Sequence, residues 1–305
     1  MIVVCGSINM DLVVHTPRFL APGETRLGST FITNPGGKGA NQAVACALLG
    51  AETRMIGCLG DDDFGAALRH GLDQAGVDTH AVMTLDQTAS GVALITVNDQ
   101  GENTIIVVPG ANECLTMDTH PNVDALLAQA KILLLQLEIP MTTVIAMAQK
   151  AHDLGVCVML DPAPTQPLTD ALYALIDILT PNQTEIETLV GFPVTTEAER
   201  TRAARHLLDK GMGKVIIKLG AEGVYWADRD GSGSHAAFPV NVVDTVAAGD
   251  AFNGGLAVAL SEDQPFAEAL HWGLAAGALA VTRRGAQSAM PTRADLLAFL
   301  AQQRE

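Results

Sequence analysis

The segment Val242-Val243-Asp244-Thr245-Val246-Ala247-Ala248-Gly249-Asp250-Ala251-Phe252 predicts a strand end, a turn at Thr245 and the start of a helix. Side chains in the first helical turn are no larger than a methyl group. N–H groups at a helix start lack partners within the helix, and with the helix dipole they attract anions. Asp250 puts a carboxylate inside this anion site, which is unfavourable unless it acts as a base or counter-charge. We hypothesise phosphoryl transfer, in which Asp250 deprotonates an acceptor hydroxyl while the amides of Ala247, Ala248 and Gly249 hold the transferred charge.

From Lys131 onward, strands rich in Val, Ile and Leu alternate with helices. This alternation predicts a largely parallel sheet that is covered by helices on both faces. The predicted strands are 132–135, 156–160, 178–180 and 215–218. The predicted helices are 142–154, 171–176, 200–210, 251–260 and 266–281, with another opening after Pro181.

Ligands of such sheets bind just beyond the carboxyl ends of the strands. Glu138, Asn182, Glu185 and the segment from Lys218 to Gly223 fall at those positions. Asn182 and Glu185 are three residues apart at a helix start and share a face. They fit either a hydrated Mg²⁺ with its phosphates or a capping box, and the local pattern leaves both interpretations open.

Four segments interrupt this alternation and predict a small, separate β-sheet that acts as a lid, which we call the small sheet. They are 12–16, 25–33, 91–97 and 103–108. The apolar positions Ala93, Ile95 and Val97 need cover, either from the body or from a second subunit.

The segment Asn34 to Gln42 places glycines around Lys38, before a helix predicted at 43–49. A phosphate-binding loop of the Walker type is excluded because Gly39 stands where Ser or Thr is required. The remaining interpretations are a close backbone approach to a small polar ligand and a plain glycine turn. The polar pair Asn9 and Asp11 follows the first strand, which suits either ligand binding or an Asx turn.

The acidic run from Gly60 to Gly65 suggests a metal site, but helix capping by these aspartates explains it better. We therefore assign the run to the N-terminus of a helix at 64–75.

The composition narrows the class of protein. The 305 residues are 48% hydrophobic and suffice for one large α/β domain. A net charge of −16 without a basic run argues against nucleic-acid binding. The five cysteines form no C-x-x-C pair, which predicts free thiols in a reducing cytosol. No apolar run reaches membrane-spanning length, so we expect a soluble, cytoplasmic protein with no membrane partner.

Gly36-Gly37-Lys38-Gly39-Ala40-Asn41-Gln42 and the stretch from Asp244 to Gly254 resemble the two signatures of the ribokinase / phosphofructokinase-B family of sugar kinases. The resemblance spans nearly the whole chain, with further matching segments in the expected order. These are Gly6–Asp11, Pro109–Asn112, Asp161–Pro164, Thr180–Glu185 and Thr282–Gln287.

The resemblance implies a single domain over residues 1–305. Its fold is a three-layer α/β sandwich with a mostly parallel central sheet, and dimers pair through the small β-sheet lid. It also implies a sugar site, a nucleotide site and a catalytic group made of Asp250 and the anion hole of Ala247, Ala248 and Gly249. The sugar-site residues are Asn9, Met10, Asp11, Gly37, Lys38, Gly39, Ala40, Asn41, Glu138 and Asp250. The ATP-site residues are Asn182, Lys218, Leu219, Gly220, Ala221, Glu222, Gly223, Gly249 and Asp250.

Two kinds of metal ion belong to the resemblance. Glu185 is implied to act on Mg²⁺ through water. A monovalent cation, usually K⁺, is implied at Asp244 and the carbonyls of Val246, Ala280, Arg283 and Gly285. Ala289 departs from the serine ligand of close relatives, although Ser288 is adjacent, and this affects the expected K⁺ dependence. Leu274 replaces a residue that is often Asn or His beside adenine, which bears on base selectivity.

The activity implied is ATP-dependent phosphorylation of D-ribose at its 5-hydroxyl, giving ribose 5-phosphate and ADP. The alternative within the family is a kinase for deoxyribose, a ketose or a nucleoside, but Asn9, Asp11 and Glu138 suit a small polyhydroxylated sugar better. An alternative from another class is a catalytically silent sugar-binding regulator. The intact anion hole and Asp250 argue against it, because a regulator has no use for a base in an anion hole. A dinucleotide-binding oxidoreductase requires G-x-G-x-x-G after the first strand, and Gly6 to Asn9 does not supply it.

Overall fold

The computed structural model describes residues 1–120 and 122–303. In that part the strands are β1 (Ile2–Cys5), β2 (Asn9–His15), β3 (Thr30–Gly36), β4 (Thr53–Gly60), β5 (Val82–Leu85), β6 (Gly91–Val97), β7 (Asn103–Val108), β8 (Ile132–Leu135), β9 (Cys157–Leu160), β10 (Ile178–Leu179), β11 (Lys214–Lys218), β12 (Val224–Asp228) and β13 (Ser232–His235). The α-helices are α1 (Lys38–Leu48), α2 (Asp63–Gln74), α3 (Val123–Leu127), α4 (Met141–Asp153), α5 (Asp170–Tyr173), α6 (Gln183–Val190), α7 (Glu197–Leu208), α8 (Ala248–Ser261), α9 (Phe266–Ala280) and α10 (Arg293–Gln302).

The large sheet of the described residues has nine strands, in the order β13-β12-β11-β10-β9-β8-β1-β4-β5. All neighbours from β5 to β11 are parallel, whereas β12 and β13 are antiparallel to their neighbours. The carboxyl ends of the parallel strands therefore lie along one edge. The mostly parallel central sheet predicted from the sequence is confirmed.

Both faces of the large sheet are covered, as the alternation in β1 shows. Ile2 and Val4 join the core under α1, α2, α8, α9 and α10, whereas Val3 and Cys5 join the core under α3 to α7. Successive side chains of a strand point to opposite faces, so a strand between two layers must be apolar throughout. The three-layer α/β sandwich is confirmed.

The small sheet has four strands in the described residues, in the order β3-β2-β6-β7. The bounds predicted for 91–97 and 103–108 are confirmed. The bounds 12–16 and 25–33 were wrong, because β2 begins at Asn9 and β3 covers Thr30–Gly36. Pairing sets these ends: β2 and β3 match residue by residue from Asn9 opposite Gly36 to His15 opposite Thr30.

Two predictions around the signatures were also wrong. Val242 and Val243 form no strand; Val242 is 63% exposed, and the Val243 N–H donates to the Val281 carbonyl at 2.7 Å. Helix α1 begins at Lys38, five residues before the predicted start at Ala43. The first turn of α1 requires a glycine at position 39, because a Cβ there would be 2.7 Å from the backbone of Gly6 and Ser7.

The capping role predicted for the acidic run is confirmed, since Asp62 accepts from the Gly65 N–H at 2.7 Å at the start of α2. Strands β4, β5, β12 and β13 and helices α3 and α10 were not predicted. None of the five cysteines, all of them described residues, forms a disulfide; Cys5, Cys46 and Cys58 are buried, but Cys114 is exposed. Among the described residues, no helix is both long and apolar enough to cross a membrane.

Candidate active site

The N-terminus of α8 lies at the carboxyl edge of the large sheet. Ala247 precedes the helix in the left-handed region, at φ 57°, and no side chain in the described residues caps it. That conformation costs an alanine roughly 1–2 kcal/mol, and such strain is typical of functional sites. A Cβ on Gly249 would lie 3.2 Å from the Lys218 ammonium, so a positive charge is next to the helix start. The geometry suits an anion, as predicted.

Asp250 lies in the first turn of α8 and is only 5% exposed. Its two carboxylate oxygens accept from the Asn41 amide and the Gln42 amide, each at 3.0 Å. Burial raises the pKa of Asp250 to about 6, although Lys38 and these two amides act against the rise. A carboxylate that is ionised at neutral pH but more basic than usual is suited to proton abstraction.

Residues that follow β1 and β8, together with residues of β2 and α1, form the side of the site that is predicted to hold the sugar, which we call the sugar side. The Glu138 carboxylate accepts from the Ser7 hydroxyl at 2.5 Å and from the Lys38 N–H at 3.2 Å. Burial, with the nearby charges of Glu138 and Asp250, raises the pKa of Asp11 to about 7. Hydroxyl groups donate to such oxygens, so the pocket suits a polyhydroxylated ligand.

Lys38 stands among these carboxylates. Burial acts to lower the pKa of Lys38, but the charges of Asp250, Asp161 and Glu138 outweigh it and raise the pKa above its usual value. Lys38 therefore stays protonated and offsets part of the negative charge of the cleft.

The turn at Gly37 brings β3 and α1 to the start of β2. Gly37 has φ 88°, and a Cβ there would lie 2.7 Å from the Asn9 nitrogen. Only glycine combines that conformation with such a close approach. Asn9, Met10, Gly37, Gly39, Ala40 and Asn41 are buried at this junction.

Asn112 was quoted in a motif without a role, yet it holds the Asn9 side chain. Its amide donates to Asn9 Oδ1 at 2.7 Å, and its own oxygen accepts from the Ile8 N–H at 2.9 Å. Ser7 was missed in the same way. Both are polar residues that become buried through long-range contacts, so their local sequence carries no distinguishing signal.

The side of the site that is predicted to hold ATP, which we call the nucleotide side, is formed by α6 and the turn after β11. Asn182 and Glu185 make the capping box, with bonds of 2.9 Å and 2.7 Å, so the capping interpretation is confirmed and the magnesium role stays a prediction. Burial raises the pKa of Glu185, although Lys218 opposes this. Asn182 pairs with Lys218 as a parallel bridge, which brings α6 next to the turn from Lys218 to Gly223.

The residues predicted for a monovalent cation also converge. Asp244 accepts from the Val246 N–H at 3.1 Å and from the Gly285 N–H at 2.9 Å. The Ala280 carbonyl accepts from the Arg283 N–H at 3.1 Å. Ala289 is buried, and the adjacent Ser288 hydroxyl donates to the Arg284 carbonyl at 3.0 Å. Leu274, the predicted neighbour of adenine, is buried in α9.

The chain is similar to known proteins over nearly its whole length. The model of the pfkB family carbohydrate kinases matches residues 1–293. A ribokinase of Haemophilus influenzae is 46% identical over 297 residues, which are 97% of each chain. A deoxyribokinase of Salmonella typhimurium is 37% identical over 292 residues, which are 95% of each chain.

A solved structure shows the same fold. Arabidopsis thaliana ribokinase, complexed with ribose and ATP, superposes with a TM-score of 0.92 at 35% identity and 98% coverage of each chain. Together with the uncapped start of α8 and the buried Asp250, these matches show that the chain belongs to the pfkB family of carbohydrate kinases.

Proposed function

We propose that the protein phosphorylates D-ribose at its 5-hydroxyl with ATP, giving ribose 5-phosphate and ADP. The observation that carries this proposal is the position of Asp250. It lies at an uncapped helix start, in contact with the sugar-side residue Asn41 and close to the charges of Lys38 and Asp161. The similarity to ribokinases supports D-ribose as the acceptor.

In the proposed mechanism, Asn9, Asp11, Asn41 and Glu138 orient the sugar through its hydroxyl groups. Asp250 accepts the proton of the 5-hydroxyl as the oxygen attacks the terminal phosphorus of ATP. The amides at 247–249 stabilise the negative charge on the transferred phosphoryl group, and ADP leaves on the Lys218 side. Most of the acceleration then comes from positioning and electrostatics.

Two cations fit the residues present. Glu185 is half-buried at the nucleotide side, and we propose that it holds Mg²⁺ through water, because Mg²⁺ retains much of its hydration shell. Asp244 with the carbonyls of Val246, Ala280, Arg283 and Gly285 forms the proposed K⁺ site. Each ion supplies positive charge beside an anionic nucleotide.

We also propose a homodimer that pairs through the small sheet. Phe31, Leu94 and Ile106 of this sheet are between 44% and 65% exposed, and every residue of β7 is exposed. Apolar surface of this extent on an edge strand is typical of a protein interface. Light scattering should give the mass of a dimer, and Ile106→Glu should give a monomer; a monomeric wild type refutes the pairing.

The cysteines suit a reducing compartment, because none of the five, all within the described residues, forms a disulfide. We therefore propose a cytoplasmic location, which cell fractionation tests directly. Recovery from an oxidising compartment would contradict it.

The substrate is tested by coupled ADP release with a panel of sugars and nucleosides. We expect D-ribose to give the highest kcat/KM. Deoxyribose is the rival acceptor, because the deoxyribokinase match covers 95% of this chain, close to the 97% covered by the Haemophilus influenzae ribokinase match. A higher kcat/KM with deoxyribose, a ketose or a nucleoside replaces the acceptor in the proposal. Ribose binding without ADP release, with Mg²⁺ and K⁺ present, points to a silent sugar-binding regulator.

A further inference from the structure

A largely buried side-chain network connects Asp250 to Lys218. The Gln42 amide group donates both to Asp250 Oδ1 and to Asp161 Oδ2, each at 3.0 Å. The Gln136 amide donates to Gln42 Oε1 at 2.6 Å. Lys218 donates to the remaining Asp161 oxygen at 2.8 Å. Gln42 and Gln136 are 0% exposed.

The register of the large sheet places these groups together. Leu135 of β8 pairs with Leu160 of β9, so the next residues, Gln136 and Asp161, lie side by side at the carboxyl edge. Helix α1 passes over this edge and contacts α8, so Gln42 reaches both Asp161 and Asp250. Proximity of these residues thus follows from the parallel strand order and from the early start of α1.

The chemistry requires a glutamine amide in one orientation. A primary amide has two N–H donors and one acceptor oxygen. The Gln136 bond occupies the Gln42 oxygen, so the Gln42 nitrogen must face the two carboxylates and can donate one hydrogen to each. A carboxylate at position 42 would instead place its oxygens, which only accept, against the carboxylate oxygens of Asp161 and Asp250. A shorter side chain would not reach both carboxylates.

One positive charge lies within the network. Lys218 forms an ion pair with Asp161, in which both side chains are largely buried. Gln42 then links Asp161 to Asp250 without adding a charge of its own. A buried polar group retains such a position when its hydrogen bonds are satisfied. One oxygen of the Asp250 carboxylate is therefore held by Gln42, which is in neither the predicted sugar site nor the predicted ATP site, and the other oxygen is held by the sugar-side residue Asn41.

We propose that Gln42 is the positioning residue of Asp250, and that Gln136 fixes the Gln42 amide in the orientation this requires. Through Asp161, the same amide ties the position of Asp250 to Lys218 on the nucleotide side. The proposal rests on the proposed role of Asp250 as the general base. It assigns Gln42, Gln136 and Asp161 a role that acts through Asp250.

The decisive variant is Gln42→Met, which keeps the size of the side chain but removes its hydrogen bonds. We expect kcat to fall about 10- to 100-fold, the effect of a misplaced reacting group, while KM for ribose and ATP changes less than about 3-fold. The acid limb of the kcat/KM profile should move to higher pH, because Gln42 lowers the pKa of Asp250. Other charged groups acting on Asp250, including Lys38, Asp161 and Asp11, are unchanged in the variant.

Gln136→Met supplies a second test that leaves both carboxylates and Gln42 in place. Freed from its partner, the Gln42 amide can turn, so we expect the same direction of change in kcat and in the acid limb, at smaller size. This variant decides the question if Gln42→Met does not fold. The control is Thr143→Val in α4, which loses a buried bond of 2.6 Å to the Leu115 carbonyl in the opposite helix layer. It should lower the melting temperature but leave kcat and the acid limb unchanged.

The outcomes separate this inference from the proposed function. Suppose that Asp250→Asn abolishes turnover, but that both glutamine variants keep kcat within about 2-fold of the wild type and leave the acid limb at the same pH. The positioning role is then overturned and the base role stands. If Asp250→Asn retains turnover, the base role itself fails. A glutamine variant that changes only the melting temperature, like Thr143→Val, also overturns the positioning role.

Discussion

Replacing Asp250 by asparagine should stabilise the unliganded protein while it removes activity. Burial raises the pKa of Asp250 from 3.8 to about 6, and at about 1.4 kcal/mol per pH unit the ionised carboxylate destabilises the fold by about 3 kcal/mol. The new amide resembles the protonated carboxyl and avoids this cost. The new amide also points its NH₂ group at the amide NH₂ group of Asn41 or Gln42. Two donors then face each other, which costs about 1–3 kcal/mol at any pH.

The pH dependence isolates the charge effect. The folded pKa lies above the unfolded pKa, so the cost to the wild type is complete above the folded pKa of about 6 and is absent well below the unfolded value of about 3.9. The stability of Asp250→Asn relative to the wild type should therefore fall by about 2 kcal/mol between about pH 8 and about pH 4.5, whatever the cost of the opposed donors. Denaturant unfolding of the ligand-free proteins measures this difference.

Asp62→Asn is the matched control, because its pH dependence has the opposite sign. Burial acts to raise the pKa of Asp62, but hydrogen bonds from Ser90 and Gly65 outweigh it and lower the pKa. Asp62→Asn should be less stable than the wild type at neutral pH, and this difference in stability should become smaller as the pH falls. For catalysis, Asp250→Asn should lose at least about 100-fold in kcat. A pH-independent stability difference refutes the desolvation argument, and turnover within about 10-fold of the wild type refutes the base role.

Three further predictions concern the two sides of the site and the cation. Asp11→Ala should raise KM for ribose at least about 10-fold with KM for ATP nearly unchanged, since it removes an acceptor of sugar hydroxyls; a selective rise for ATP would reverse the assignment of the two sides. Gly39→Ala should destabilise the fold by about 1–3 kcal/mol, because its Cβ would meet the Gly6 backbone at 2.7 Å, and unchanged denaturation midpoints would contradict this contact. Replacing K⁺ by choline should lower kcat severalfold in the wild type but not in Asp244→Ala, and equal responses would remove Asp244 from the cation site.

The start of α8 could be predicted from the sequence, because its residues are neighbours in the chain. Ala247 to Asp250 form the start of one helix, and small side chains followed by a carboxylate carry that information locally. Gln42, Gln136 and Asp161 could not be predicted to form a network, because their contacts depend on the register of β8 and β9 and on where α1 starts. The same limit applies to the fold: β6 and β7 are rich in β-branched residues and were predicted correctly, whereas the ends of β2 and β3 are set by their pairing.

The charge of the cleft supplies a physical reason for the two cations proposed above. In the described part of the cleft, carboxylates outnumber ammonium groups by five to two, and the chain itself carries a net charge of −16. The groups are Asp11, Glu138, Asp161, Glu185 and Asp250 with Lys38 and Lys218. Burial, together with neighbouring carboxylates, raises the pKa of Asp11 to about 7 and that of Asp250 to about 6, so both groups take up a proton more readily than an exposed carboxyl. A nucleotide adds further negative charge, so its binding with an ionised Asp250 requires positive charge from outside the chain. Mg²⁺ near Glu185 and K⁺ near Asp244 would supply that charge on either side of the anion hole, which leaves Asp250 free to act as a base at neutral pH.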